Sequence, residues 1–412
     1  MRVTCVLGTR PEAIKLAPVI LALRARGLDC VIVSSGQHRE MLGQALAGFG
    51  LAADHDLALM RPDQSMTHLT AGVLRGLAPL LPELRPDWLL VQGDTTTAFA
   101  GAMAGFYGGV RVGHVEAGLR SWNPLAPWPE EMNRGLITGL ATRHFAPTPL
   151  AAENLRRQGI PARAIAVTGN TGIDALLLVA GRVRDDGALA ARFAFLDPAR
   201  RLILVTGHRR ENFMGGLDRV ARAVAVLAAR PDVQVVFALH LNPRAGAPAR
   251  AALGHLPHVH LLPPQDHAGF VWLMRRAHLV VTDSGGVQEE APSLGRPVLV
   301  TRNESDRPEA ITAGTARLVG TDGVALLREA TLLLDDAAAW RTMARAESPY
   351  GDGQAAPRIV DALLADAVRT PAISLPLTDD LRPAQRRLRG PVRATAPRFV
   401  PPPANLALPE KI

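Results

Sequence analysis

Three glutamates lie close together in a segment that is otherwise apolar or sharply bent. Residues 113–134, GHVEAGLRSWNPLAPWPEEMNR, contain Glu116, Glu130 and Glu131 beside two tryptophans and three prolines. The segment begins inside a β-branched run typical of a buried strand, where carboxylates are uncommon. Acids gathered at one site can donate and accept protons, because crowding keeps at least one protonated unless cations offset the charge. Proton transfer is the chemistry that this segment indicates.

Two further peptides have residues suited to binding phosphate. GTRPEAIK at 8–15 offers a tight turn at Gly8, free N–H groups at a helix start and the guanidinium of Arg10, with Lys15 within reach. TDSGG at 282–286 supplies unhindered amides at a second helix start. An ordinary strand–helix connection is the alternative for each. The GxGxxG and GxxxxGK[ST] patterns are missing from both peptides, which disfavours a nicotinamide cofactor or a P-loop.

Four more polar residues are candidates, each with a structural alternative. Asp94 in QGDTTT ends a buried run and could instead cap the next helix. His208 in TGHRREN also ends a run, although a lone histidine is commonly structural. Glu289 and Glu290 are predicted in the first turn of the helix after TDSGG. There Glu289 would favour the helix dipole, and Glu290 could accept hydrogen bonds from ribose hydroxyls. The sequence has no HExxH, CxxC or DxDxDG spacing, so we predict no metal site.

Eleven short hydrophobic runs alternate with helix-like segments and must position these side chains. They lie at residues 2–9, 30–36, 88–94, 110–117, 144–148 and 164–170, then at 201–208, 233–240, 259–264, 279–285 and 297–302. Runs that are apolar on both faces and separated by helices predict parallel sheets covered on both sides. We therefore predict an α/β fold of two doubly wound, Rossmann-like domains joined near 168–172. The polar peptides follow the strands in both halves, which predicts an active site in the interdomain cleft.

The predicted N-terminal domain comprises residues 1–168 and a returning helix at 354–368, and the C-terminal domain comprises 169–353. Residues 369–412 are rich in proline and arginine, and we expect this tail to be disordered. Half of the formal net charge of +8 falls within 371–412, where seven Lys or Arg oppose three Asp or Glu. The positive charge therefore does not indicate a nucleic-acid-binding protein, and a scaffold or nucleic-acid role of the tail is kept as the alternative.

The remaining composition indicates a cytoplasmic protein without a membrane partner. Hydrophobic residues make up 48% of the chain and charged residues 20%, yet no run of about 18 apolar residues occurs. The start, MRVTCVLGTRPEA, does not have the order of a secretory signal. Cys5 and Cys30 both lie in predicted core strands, so we expect buried thiols and no disulfide framework.

Taken together, these peptides resemble those of the bacterial UDP-N-acetylglucosamine 2-epimerases of the non-hydrolysing type. The resemblance runs in order through residues 1–368. It comprises GTRPEAIKLAP, QHREM, QGDTTT, GHVEAGLR, PWPEEMNR, TGNTGIDAL, TGHRREN, HLNP, TDSGGVQEEAPSLGRPVLV, RPEA and SPYGDG. It implies a glycosyltransferase-B type architecture, a homodimer and no cofactor. The implied reaction interconverts UDP-GlcNAc and UDP-ManNAc by eliminating UDP and adding it back to a 2-acetamidoglucal, a step of polysaccharide biosynthesis.

The resemblance also implies roles for individual residues. The catalytic acids of the family match Asp94, Glu116 and Glu130, and its catalytic histidine matches His208, whereas Glu131 matches no catalytic residue. The UDP-contacting positions match Arg10, Lys15, Gln265, Phe270, Ser284, Gly285, Gly286, Glu290 and Arg307. In some members QHREM and HLNP bind a second UDP-GlcNAc as an activator, which would involve Gln37, Arg39 and His240. Interdomain packing is the alternative role that we favour for those three.

Two other enzymatic functions are compatible with the same peptides. A hydrolysing relative would let water intercept the glycal and release free ManNAc and UDP. A glycosyltransferase of the same fold would use the nucleotide site with an acceptor, although it does not need three acids in the first domain.

Overall fold

A computed structural model describes residues 1–369, apart from 38, 62–63, 208, 210–211, 213–214, 241–242, 306 and 346–347. His208 and the tail after Arg369 lie outside the described residues. Within them the chain forms two parallel β-sheets with helices on both faces of each sheet.

The first sheet has seven strands in the order β3-β2-β1-β4-β5-β6-β7, and every neighbouring pair is parallel. Its strands are β1 (Arg2–Leu7), β2 (Asp29–Ser34), β3 (His55–Asp56), β4 (Trp88–Gln92), β5 (Arg111–Val115), β6 (Arg143–Ala146) and β7 (Ile165–Val167). The helices between them are α1 (Arg10–Ala25), α2 (Arg39–Ala47), α3 (Met66–Leu84), α4 (Thr96–Tyr107), α5 (Glu130–Leu140) and α6 (Pro149–Arg157), followed by a 3-10 turn (Ala162–Ala164).

The second sheet repeats this winding with six strands in the order β10-β9-β8-β11-β12-β13, all parallel. Two helices, α7 (Thr171–Arg182) and α8 (Gly187–Arg192), lead into it. Its strands are β8 (Arg201–Thr206), β9 (Val233–Ala238), β10 (Val259–Leu262), β11 (Ala277–Thr282), β12 (Val298–Val300) and β13 (Ala316–Leu318). The later helices are α9 (Gly216–Ala228), α10 (Pro243–Leu253), α11 (His267–Arg276), α12 (Gly285–Ser293), α13 (Pro308–Thr312), α14 (Gly323–Asp335), α15 (Ala337–Met343) and α16 (Ala355–Arg369).

All eleven predicted strands are present, and the prediction of two doubly wound parallel sheets is confirmed. Two strands were not predicted from the sequence. β3 is two residues long and β13 three, and both lie at sheet edges, where part of each strand remains accessible to solvent. Neither has the continuous apolar run that strands buried on both faces require, so the hydrophobic pattern did not reveal them.

The connection between the sheets and the last helix both pack close to the first helix. α7 begins immediately after β7 and contacts α1, and α16 returns at the end to pack against α1 and α7. The thiols of Cys5 and Cys30 are buried in β1 and β2 with their Sγ atoms 3.9 Å apart, and neither forms a disulfide. Within the described residues, no helix combines the length and apolarity needed to cross a bilayer.

In each sheet the strand order reverses at one point, which lies between β1 and β4 in the first and between β8 and β11 in the second. The loops that leave these strands diverge to opposite faces, so a crevice opens at the carboxyl ends of the strands. The peptides singled out by the sequence leave the sheets at these places.

The turn after β5 gives a stability test. Gly118 has φ +91°, and a Cβ added there would lie 2.2 Å from the carbonyl oxygen of Ala151. We expect Gly118→Ala to lower the free energy of unfolding by about 2–5 kcal/mol, because overpacking costs about 1–3 kcal/mol and a left-handed backbone about 1–2 kcal/mol.

The matched control is Gly43→Ala in α2, where an added Cβ meets no atom within 4 Å. This change should raise the free energy of unfolding by up to about 1 kcal/mol, since alanine favours a helix interior. Denaturant unfolding of both variants measures the difference, and equal stabilities would contradict the steric argument.

Candidate active site

Two of the proposed acids, Asp94 and Glu116, follow strands directly and are neighbours at the carboxyl ends of the strands of the first sheet. Gly93, after β4, donates its N–H to the carbonyl oxygen of Val115 in β5 at 3.0 Å. Asp94 is the residue after Gly93, and Glu116 is the residue after Val115. The register between β4 and β5 therefore brings together two carboxylates that are 22 positions apart in the sequence.

The carboxylate of Asp94 is held by α5. Its Oδ2 accepts from Nε of Arg134 at 2.8 Å and lies 2.7 Å from Nη2 of the same guanidinium. Asn133 donates its side-chain amide to the main-chain oxygen of Asp94 at 2.8 Å. Thr95 is the N-cap of α4, accepting from the N–H of Ala98, so the alternative that Asp94 caps this helix is wrong. Glu130 is the first residue of α5 and is half-buried.

Glu116 has a backbone conformation that few non-glycine residues adopt. Its φ is +67°, in the left-handed region, which costs on the order of 1–3 kcal/mol and persists where the surrounding structure enforces it. Its side chain is 8% exposed and forms an ion pair with Nζ of Lys15. Burial acts to lower the pKa of Lys15, but the nearby carboxylates of Glu116 and Glu289 outweigh it and raise that pKa above its usual value. Lys15 is therefore charged at neutral pH.

A buried histidine supports the turn before Asp94. His114 lies in β5 with Nε2 2.7 Å from the carbonyl oxygen of Gly93, and since a carbonyl only accepts, Nε2 carries the proton. Burial lowers the pKa of His114 to about 3, with nearby cations adding to the effect, so the ring is neutral at pH 7. This contact could not be predicted from the sequence, because the register between β4 and β5 creates it.

Glu131 differs in role from its neighbour Glu130. Its carboxylate accepts from the backbone N–H groups of Ser121 and Trp122, each at 3.0 Å, and also pairs with Arg134 at 3.0 Å. These contacts hold the loop after β5 against the start of α5. The side chain is buried and its oxygens are occupied, which gives Glu131 a structural role.

The two predicted phosphate-binding helix starts differ in the structure. At α1, Oε2 of Glu12 accepts from the N–H groups of Gly8 and Thr9 at 3.1 and 2.7 Å. Pro11 has no N–H to offer. This helix start therefore offers fewer free N–H groups than the sequence predicted, and the anion contacts of Arg10 and Lys15 stay predictions.

The second helix start, at α12, has a more open arrangement. Ser284 is the N-cap, Gly285 and Gly286 are the first helical residues, and Gly286 is exposed. A Cβ added to Gly286 would lie 3.8 Å from Oε1 of Glu290, so this carboxyl group lies beside the helix start. Burial, with a further contribution from Glu289, raises the pKa of Glu290 to about 7.

The structure contradicts the role predicted for Glu289, which was to favour the helix dipole. Because the helix begins at Gly285, neither Glu289 nor Glu290 lies in the first turn, and Glu289 does not serve the helix dipole. It is buried, pairs with Nε of Arg307 and accepts from the side-chain amide of Asn170. The sequence could not reveal this network, since Asn170 is 119 positions away.

The other predicted UDP contacts lie on the loop after β10 and on α11. Gln265 is buried and accepts from Arg192 at 2.7 Å, and Phe270 is half-buried in α11. Arg10 lines a cavity of about 580 Å³ together with Asp266 of this loop and His267, the first residue of α11. The wall of this cavity also includes residues of α2 and α7, so the cavity lies between elements of the two sheets.

The three residues proposed for an activator site are only partly described. Oε1 of Gln37 accepts from Thr97 Oγ1 at 3.2 Å, at the start of α4. His240 is exposed after β9, and the side chain of Arg39 lies outside the described part of the chain. Their role stays a prediction. No cluster of three or more potential metal ligands occurs among the described residues.

The neighbouring glutamates of α5 provide a second stability test. We expect Glu131→Gln to lower the free energy of unfolding by about 1.5–3 kcal/mol, because it removes a charged acceptor from a buried network. Glu130→Gln should change it by less than about 0.5 kcal/mol, since the Glu130 carboxylate takes part in none of these contacts. Thermal and denaturant unfolding measure both variants, and an equal loss in both would contradict this division of roles.

Known proteins resemble this chain over most of its length. A family model described as UDP-N-acetylglucosamine 2-epimerase matches residues 21–364. The UDP-N-acetylglucosamine 2-epimerase of Escherichia coli O157:H7 is 50% identical over 369 residues, which make up 88% of this chain and 98% of the relative.

Solved structures agree with these matches. UDP-GlcNAc 2-epimerase from Neisseria meningitidis bound to UDP-GlcNAc has a TM-score of 0.82 at 43% identity, covering 89% of this chain and all of that chain. Glycosyltransferase SnogD from Streptomyces nogalater, with a TM-score of 0.57 at 17% identity over 90% of this chain and 99% of its own, shares the fold alone. The glycosyltransferase-B type architecture is thereby confirmed. The family match over most of the chain and the half-identical relative show that it belongs to the UDP-N-acetylglucosamine 2-epimerase family.

Proposed function

We propose that this protein reversibly epimerises UDP-GlcNAc to UDP-ManNAc at C2, by eliminating UDP to a 2-acetamidoglucal and adding it back. The observation that carries the proposal is the placement of Asp94 and Glu116 side by side, with Lys15 in contact with Glu116. The relatives' names support the substrate class. The acids and the cation together support elimination, because this reaction needs a base at the sugar and positive charge at the leaving group.

Stabilising the leaving group contributes more to lowering the activation barrier than the base does. The C2 proton of a sugar is a poor acid, and a positioned base supplies only about 10²–10⁴-fold. Early departure of the diphosphate gives C1 oxocarbenium character, which acidifies C2. Cations and amide groups at the diphosphate stabilise the developing charge. Lys15, Arg10, Arg307 and the start of α12 are the groups that we assign to this task.

Inversion at C2 requires proton carriers on both faces of the sugar. Asp94 is paired with Arg134 and Glu116 with Lys15, so the two carboxylates have different counter-charges. Because Lys15 would contact both Glu116 and the diphosphate, departure of the leaving group changes the charge felt by Glu116. Glu130, at the start of the helix that holds Asp94, is the third proposed acid, and His208 remains a proposed catalytic residue.

The organisation of the chain follows the same proposal. We propose the domain limits 1–168 with 354–368 and 169–353, supported by the packing of α16 on α1. We also propose a homodimer. Met132 and Leu136, four positions apart on α5, are exposed apolar residues available to such a contact. Sedimentation of the purified chain measures the oligomeric state, and a monomer at micromolar concentration would contradict the dimer.

Incubation with UDP-GlcNAc in D₂O tests the function directly. We expect UDP-ManNAc as product, with deuterium at C2 of both epimers, because the abstracted proton exchanges with solvent. NMR of the mixture identifies the products. Free ManNAc with stoichiometric UDP would favour the hydrolysing alternative, and turnover only after adding an acceptor would favour a glycosyltransferase.

Substitution of the acids separates chemistry from binding. Asp94→Asn, Glu116→Gln and Glu130→Gln should each lower kcat by at least about 10²-fold, the usual contribution of a positioned acid or base. The Kd for UDP should stay within about threefold for Asp94→Asn and Glu130→Gln, since neither acid contacts a group assigned to the nucleotide. Arg10→Ala should weaken UDP binding measured by calorimetry. Acid variants that lose UDP affinity together with stability would show that these residues are structural.

A further inference from the structure

Glu289 lies where the two sheets are joined. It belongs to α12 of the second sheet, and its side chain is 6% exposed. Its two oxygens have separate partners: Oε1 pairs with Nε of Arg307, and Oε2 accepts from Nδ2 of Asn170 at 2.6 Å. One carboxylate therefore connects an arginine assigned to the diphosphate with the first residues after β7.

The orientation of the Asn170 amide is fixed by its other contacts. Asn170 is the N-cap of α7, the helix that leaves the first sheet, and its Oδ1 accepts from the N–H of Gly172 at 2.8 Å. Its amide nitrogen must then point toward Glu289. Its backbone N–H donates to the carbonyl oxygen of Tyr350 at 2.7 Å, shortly before the returning helix α16. Asn170 thus links α7, α12 and the segment before α16.

The contacts around Asn170 extend to Lys15 and Glu116, two residues of the proposed active site. A Cβ added to Gly172 would lie 3.6 Å from Cε of Lys15, so the lysine stem packs on the start of α7. Lys15 in turn pairs with Glu116. Burial raises the pKa of Glu289, while Arg307 and Lys15 act to lower it. A series of contacts therefore runs from Glu116 through Lys15, the start of α7 and Glu289 to Arg307.

We propose that Glu289 is a positioning residue that orients Arg307 for the diphosphate and ties it, through Asn170, to the start of the interdomain helix. This inference rests on the proposed function, because it takes Arg307 as a nucleotide contact. A guanidinium held at Nε has few rotamers left, which lowers the entropy lost when it binds an anion. Since both partners share one carboxylate, a shift of α7 relative to α12 would also displace Arg307.

A reciprocal exchange of side chains tests the link. Glu289→Gln leaves one acceptor oxygen where the carboxylate had two. Either Arg307 or Asn170 therefore loses its hydrogen bond to residue 289. If the oxygen stays with Arg307, the NH₂ group of the new side chain faces the NH₂ group of Asn170. Asn170→Asp keeps the cap on Gly172 but places a second carboxylate against Glu289. In the double variant, the introduced glutamine can donate its amide to the introduced aspartate while its oxygen accepts from Arg307. The double variant also has the net charge of the wild type.

We expect each single change to lower kcat and to weaken UDP binding about tenfold, and the double variant to return to within about threefold of wild type, a typical coupling between contacting residues. Glu153→Gln in α6, at a half-exposed position, is the control and should match wild type in both measurements. A double variant no better than the weaker single variant would overturn the proposal. Single variants that lose thermal stability but keep wild-type kcat and Kd would also overturn it.

Failure of the proposed function gives a different result. If the wild-type chain binds UDP but does not convert UDP-GlcNAc, the epimerase proposal fails, and the UDP Kd values of the four variants still decide the role of Glu289. If the wild-type chain does not bind UDP, both proposals fail.

Discussion

The pairing of a cation with a buried carboxylate, once in each half of the molecule, is the interaction on which the site depends. Lys15 is held by Glu116 and Arg307 by Glu289, and both acids are more than nine-tenths buried. Removing such charges from water costs several kcal/mol per ion, so each pair is tolerable only with good geometry. In the proposed function these two cations would also bind the diphosphate, which offers them more charge than one carboxylate does.

The two halves have the same sheet topology, but the helix starts at the carboxyl ends of their strands differ. In the first sheet, Glu12 accepts the N–H groups of Gly8 and Thr9 at the start of α1. We therefore propose that this side contributes mainly side-chain cations and the acids that follow β4 and β5. In the second sheet, the start of α12 consists of Ser284 and two glycines, has no side-chain cap and includes the exposed Gly286. A helix start that satisfies itself cannot bind phosphate well, whereas one without such a side chain can. In the proposed function, the acids that act on the sugar come from the first half, whereas both halves supply groups that bind the diphosphate.

Local alternatives were decided by contacts of long range. Asp94 and Thr95 are equally good N-caps by residue type, and the structure selects Thr95 because Arg134 of α5 holds the Asp94 carboxylate. Glu130 and Glu131 are the same residue type at adjacent positions, yet of the two it is Glu131 that accepts the backbone N–H groups of the preceding loop. In both pairs the helix α5, which packs on α4 and β5, makes the distinction.

The sequence by itself determined the parallel, doubly wound sheets and the peptides at their carboxyl ends, because strands buried on both faces must be continuously apolar and the residues that follow them are exposed to ligand. It did not determine the edge strands β3 and β13, which are too short and too exposed to have that pattern. Nor did it determine the partners of Glu116 and Glu289. Lys15 is 101 positions from Glu116, and Asn170 is 119 from Glu289, so only the packing of the sheets and α7 could bring them together.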